Sequence, residues 1–537
     1  MEPVNPDGWR PHAEASVCPV ETDEIQGIVA SGYSRYRHAL YLILHVRDAE
    51  ATRKWLNGLL PEIQKTSAKR VLRARASARP SRHVQAMIAW TAAGLRAIGV
   101  DEEALTTFSP EFYGGMTQSF RARGLGDTGG EDAPTPENWR WGAAPEESEE
   151  GDIDGEEPKS CGRGAAPGEV HVLLGLFSAK PEAVAWPEVR DRWIPESSGV
   201  GLVDAIEATL EGTEPFGFRD GISQPRLPWE SSETQPRERR WRNTVALGEF
   251  VLGYRNELGK MPASPWIDAE RYRKIRLDDD VPLGDVSFEN LPEEPGEGSP
   301  VAPPTSHRRD LGRNGTYLVV RELEQNVAEF KKLSEEQAAK IVGRWQDGTP
   351  LVLSPNAPVP GLTTENDFAY HTTDRAGLAC PLGSHVRRSN PRDSLADPDQ
   401  GVDPEDAVAS ANLHRILRRG RTFHRGEGEA RRVGMMFICI NANIEQQFEF
   451  VQKQWLQNSG FSGLADERDP LVGLRDPSSR FSIPKATRTE SVSLGKYVRV
   501  RGGAYFFLPS LSALRFLAEG LPPRPEREAS GSGIGSA

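Results

Sequence analysis

The chain has 537 residues and a formal net charge of −13, with 37% hydrophobic and 27% charged residues. One hydrophobic core stops growing near about 250 to 300 residues, so this length implies two or more domains, and the clustered apolar residues mark a globular chain with polar insertions. The acidic balance argues against nucleic acid or an anionic membrane surface as the main partner. Cys18, Cys161, Cys380 and Cys439 lack the spacing of a zinc site or a disulfide framework and fit a reducing compartment. No run reaches the roughly 18 apolar residues of a membrane span. MEPVNPDGWRPHAEASVC at the start has neither an apolar signal core nor a twin-arginine pair, so a cytoplasmic location is expected.

Residues 1–22 read as an N-terminal extension. HALYLILHV (38–46) has the length and apolarity of a strand, and residues 49–60 set Trp55, Leu56, Leu59 and Leu60 at helical spacing. HVQAMIAW (83–90) alternates like a half-buried strand, VHVLLGLF (170–177) reads as another, and VDAIEATLEG from 203 is expected to be helical. That order, β, α, β, β, α, suits an antiparallel sheet covered on one side by helices. Between 124 and 168 the composition turns to Gly, Pro, Glu and Asp, with Glu146 to Glu157 strongly acidic. EF-hand spacing and its closing glutamate are missing there, so the stretch reads as a solvated loop.

A similar pattern begins near Gly248. VLGY (251–254) and TYLVVREL (316–323) read as strands, NVAEFKKL and EEQAAKIV as helices, and MMFICI (435–440) as a buried strand. IEQQFEFVQKQWL (444–456) reads as a helix, VRVRGGAYFFL (498–508) as the last strand and LSALRFL as a closing helix. The interval 264–314, rich in Asp, Glu and Pro, reads as an exposed excursion, and 522–537 as a flexible tail.

Two stretches carry chemistry. CPLGSHVRRSNPRD (380–393) sets His385 before Arg387 and Arg388, and Pro391 bars its predecessor from the helical region, so Asn390 ends the short turn that carries the histidine. An imidazole held at a fixed angle is a suitable ligand for a haem iron, for which one proximal histidine suffices. FGFRDGISQP (216–225) puts Asp220 in a turn between Gly217 and Gly221, which lets the carboxylate be presented sharply into a cavity. Taken singly, the bland readings are a structural histidine, a turn-forming aspartate and, for Arg415, Arg418, Arg419 and Arg421, a solvated helix face.

Together these stretches resemble the dye-decolourising peroxidases. GFRDGISQP resembles that family's distal GxxDG signature, His385 its proximal haem ligand, and Arg418 in ILRRG its distal arginine. GEFVLGY, NGTYLVVRELEQNVAEF, GMMFICINANIEQQFEFVQKQW and GGAYFFLP are similar to family segments in the family's order, over about residues 23 to 518. The resemblance implies an α+β fold of two ferredoxin-like domains, 23–245 and 246–521, with one haem b per chain lodged mainly in the second. It also implies hydrogen peroxide as oxidant, reduced through a ferryl intermediate, and organic electron donors such as dyes or phenolic compounds, and leaves a homo-oligomer open.

The residue roles follow the same resemblance. Asp220 would move a proton from the inner to the outer oxygen of peroxide, and Arg418 would stabilise the departing oxygen and keep the carboxylate ionised. Arg392 in NPRD resembles an arginine that contacts a haem propionate. Asn443, Glu445 or the backbone would accept the second N–H of His385. Phe423 stands where some relatives have an oxidisable tyrosine, which puts that electron route in doubt and leaves Trp455 and Tyr505 as substitutes or as plain core residues. Chlorite dismutation, haem carriage without turnover, and a haem-free binding protein are the competing readings.

Overall fold

The computed structural model describes residues 20–66, 84–127, 135–142, 169–186, 189–229, 243–268, 308–426, 428 and 431–520. The acidic run at 146–157, the middle of the 264–314 excursion, most of the N-terminal extension and the tail 522–537 lie outside them.

In the first half, β1 (His38–Val46), β2 (Gln85–Trp90), β3 (Val172–Ser178) and β4 (Val200–Thr209) pair antiparallel in the order β2-β3-β1-β4. Helix α1 (Ala49–Leu59) follows β1, capped by the Asp48 side chain, which accepts from Ala51 N. A short ribbon, β5 (Trp266–Asp268) with β6 (Arg308–Asp310), closes the base of the excursion. The second half supplies β7 (Thr316–Gln325), β8 (Leu417–Arg418), β9 (Arg421–Arg425) and β10 (Arg432–Asn441). The hairpin of β11 (Arg480–Pro484) and β12 (Thr489–Ser493) precedes the long β13 (Val498–Leu508). Helices α2 (Glu335–Val342) and α3 (His385–Ser389) lie between β7 and β8, and α4 (Leu511–Arg515) follows β13. The main strands here run β13-β7-β10-β9, so first, second, third and last strands occupy the same places in both halves.

The halves join into one nine-stranded sheet, through Phe507 opposite Trp90 on one side and Ala208 and Thr209 opposite Phe423 and Thr422 on the other. Because β7 pairs with both β13 and β10, the sheet closes on itself, which leaves no long exposed edge among these strands. One apolar cluster takes side chains from both halves, among them Tyr41, Met87, Leu173, Val320, Ile438 and Phe506. A second packs the opposite strand faces against the helices, through Trp55, Leu56 and Leu514. No helix among the described residues is long and apolar enough to cross a membrane.

The structure departs from the sequence reading at three places. The run from Val203 is strand β4 rather than a helix: Val200, Val203, Ile206 and Thr209 fall three apart and imitate a helical stripe, but pairing along β1 prevails. VLGY is a turn following the helical turn Leu247–Glu249, closed by Gly248 N donating to Arg255 O at 3.0 Å. Strand β2 is buried along its whole length instead of on one face, because core packs on both sides of it.

Candidate active site

One face of the second-half strands forms the back wall of a cavity of about 360 Å³. Residues two apart on a strand share a face, and residues directly opposed across an antiparallel pair do so too. Met435 and Phe437 on β10 therefore face the same way as Cys439, whose register partner is Arg418, and as Leu323 and Arg321, their own partners on β7. All but Cys439 line the cavity, together with His385 and Asp220.

His385 opens α3, a helix of five residues that Asn390 ends, as the following proline requires. So short a helix cannot hold itself, and two buried arginines clamp it. Arg387 Nη1 donates to Cys380 O (2.8 Å), and Arg388 donates to Trp455 O (2.6 Å) and Glu467 O (2.5 Å). The pair ties its helix to the loops of Cys380 and Glu467 and to the π-helical run that carries Trp455. His385 Nδ1 lies 2.9 Å from Asp469 Oδ2. The other oxygen of Asp469 accepts from Leu471 N and Val472 N, both at 2.9 Å, which fixes the carboxylate. Burial pushes the Asp469 carboxyl up, but the charge and hydrogen bond of His385, the Val472 N–H and Arg388 outweigh it and bring the pKa down to about 2. The partner of His385 is thus Asp469. Asn443 and Glu445 sit at the start of the π-helical run 445–456, where Asn443 bonds within that run, to Gln447 and Gln446.

The loop 212–223 supplies another part of the lining. Gly217 (φ +97°) and Gly221 (φ +80°) occupy the left-handed region, and Asp220 N donates to Gly212 O at 3.1 Å. The Glu214 carboxylate stiffens the loop from within by accepting from Phe216 N and Phe218 N at 3.0 Å and from Gln325 Nε2 on β7 at 2.7 Å. Arg418 Nη1 approaches Asp220 Oδ1 at 3.6 Å, and both side chains are partly exposed to the cavity. Arg418 N in turn donates to Gln224 Oε1 at 3.0 Å, which ties the strand to the loop.

Arg392 does not line this cavity. Its guanidinium donates to Asn366 O (2.9 Å), Asn366 Oδ1 (2.6 Å) and Phe368 O (3.2 Å) and stacks 4.0 Å over the Phe368 ring. The cavity arginine that sequence reasoning passed over is Arg415, which is buried and whose Nη2 has no partner among the described residues. Burial, then the neighbouring Arg392 and Arg418, lower its pKa to about 9. Arg344, lowered by burial to about 10, stands in the same wall. Phe423 points into the core shared by the halves, and Tyr505 is buried with its hydroxyl 2.7 Å from Glu449 Oε1.

The fold and site define an α+β protein with one cavity lined by a carboxylate-oriented histidine and an aspartate–arginine pair. The family described as "Dyp-type peroxidase, C-terminal" matches residues 305–468. Multifunctional dye peroxidase DyP2 of Amycolatopsis is 29% identical over 360 residues, a match spanning 60% of this chain and 64% of that protein. A dye-decolorizing peroxidase of Exidia glandulosa is 24% identical over 93% of this chain and 88% of its own. The crystal structure of the fungal peroxidase from Auricularia auricula-judae superposes with a TM-score of 0.66 at 21% identity, covering 93% of this chain and all of that one. Residues 305–468 therefore match the C-terminal part of the DyP-type peroxidases, and the chain is similar to members of that family over most of its length.

Proposed function

We propose that this protein is a haem-dependent peroxidase that reduces hydrogen peroxide and oxidises organic donors such as dyes or phenolic compounds. The observation that carries the reading is the meeting, in one cavity, of His385, Asp220 and Arg418 from separate parts of the chain. The residues suit one haem b. Asp469 occupies His385 Nδ1, so Nε2 would hold the iron, and Arg415 Nη2, which has no partner among the described residues, would suit an anion such as a propionate. When bound, haem supplies an iron that takes up peroxide and accepts its oxidising equivalents.

With haem bound, Asp220 would take the proton from one peroxide oxygen and return it to the other, which would leave as water. The Arg418 guanidinium, which cannot lose its proton, balances charge on that oxygen as the bond breaks. Asp469 holds the imidazole in a single orientation throughout. Two ferredoxin-like units, 23–245 and 246–521, with haem mainly in the second, are supported by the repeated strand order and by the β7, β10 and β13 walls of the cavity. A cytoplasmic location accords with Cys380 and Cys439, both buried and unpaired.

Asp220→Asn separates this reading from haem carriage. The variant is expected to bind haem normally and to react with peroxide roughly a hundred to ten thousand times more slowly in stopped-flow mixing. Unchanged peroxide kinetics would point to a carrier.

A further inference from the structure

We propose that the Met435 thioether is an internal acceptor of peroxide oxygen, so that turnover without an external donor converts this one side chain to its sulfoxide. The inference rests on the peroxidase reading above.

Position singles out this sulfur. Met435 lies on the strand face that carries Phe437 and, through the Cys439–Arg418 pairing, Arg418. It is the one methionine among the described residues that lines the cavity, and it is partly exposed there. Its neighbour Met436 points the other way, into the closed core, at 0% exposure. Met87 and Met116 are likewise buried in the core, and Met261 is half-buried outside the cavity. The sulfur is also oriented: Thr422, the register partner of Met435 on β9, has its Oγ1 3.5 Å from Sδ and donates to it. That contact ties up one lone pair and leaves the other for reaction.

The step balances without a further reagent. The free sulfur lone pair forms an S–O bond to one oxygen of hydrogen peroxide as the O–O bond breaks. Sulfur is oxidised by two electrons, and the second oxygen leaves as water with both peroxide protons, one of them carried by Asp220. A flexible apolar side chain thereby becomes polar and gains a stereocentre at sulfur.

The test is peptide mass mapping of haem-loaded protein after treatment with heavy-oxygen-labelled hydrogen peroxide, with no donor present. One labelled oxygen is expected on Met435, at least about tenfold ahead of Met261 because its sulfur lines the cavity, and none on Met436. Because the sulfur is oriented, the product should be a single epimer, restored by one of the two stereospecific methionine sulfoxide reductases and left by the other. Apoprotein should oxidise Met435 no faster than Met261. The proposal is overturned, with the peroxidase reading intact, if peroxide is consumed while Met435 stays a thioether. It is equally overturned if Met435 gives an even epimer mixture, or reacts as fast without haem. Failure of the haem-loaded protein to consume peroxide at all would overturn both.

Discussion

His385 is oriented by a carboxylate 84 positions further along the chain. Replacing Asp469 by Asn keeps the shape but removes the negative charge that faces the imidazole. Haem affinity is then expected to fall by roughly ten to a hundredfold in titrations, and the midpoint potential to rise, since the ferric state loses more stabilisation than the ferrous. Elsewhere, burial, offset in part by the Glu257 N–H and reinforced by the Glu257 charge, lifts Glu249 to a pKa of about 7, against an ordinary 4.5. Below pH 4.5 both folded and unfolded chains hold this proton, and between 4.5 and 7 only the folded chain does. Folding stability should therefore decline by roughly 3 kcal/mol across that window. Glu249→Gln should flatten this part of the profile in denaturant titrations at stepped pH. Asp220, Arg418 and His385 were singled out in the sequence by ordered motifs that resemble one family, since taken singly a turn-forming aspartate, a solvated arginine run and a structural histidine were the readier readings. Asp469 and Arg415 were not, since their roles come from what the fold brings beside them.

Among the elements, α1, α2, β7 and β13 follow from periodicity and caps, as in the box between Ser334 and Gln337 that opens α2. Strand β4 does not, because its β-branched residues carry two periods at once and only the presence of β1 decides between them. The site depends on where α2 ends against α3. Gly343 has φ +99°, and a Cβ there would come within 2.3 Å of Val386 Cγ2, next to His385. Gly343→Ala should cost about 1 to 3 kcal/mol by overpacking and backbone strain, and should weaken haem binding by shifting α3. A variant that unfolds at the parent denaturant midpoint, with haem affinity unchanged, would count against α2 as the support of α3.

At the scale of the molecule, length suggested two cores, and the strand order repeats in each half, yet the closed sheet gives the halves a common core. Sequence patterns report which residues are buried, not which partners bury them, so the closure could not be read from them. It predicts that the halves unfold together, in a single calorimetric transition. Trp90, fully buried at the joint with Phe507, should cost about 3 to 5 kcal/mol when replaced by Ala and should lower that transition without splitting it. The central claim is that the cavity shared by His385, Asp220 and Arg418 activates peroxide on a bound haem. Its most direct test is the absorption spectrum of haem-reconstituted protein before and after one equivalent of hydrogen peroxide. The account predicts a histidine-ligated ferric spectrum that changes within the mixing time and returns when a phenolic donor is added; a haem spectrum indifferent to peroxide, or protein that takes up no haem, would contradict it.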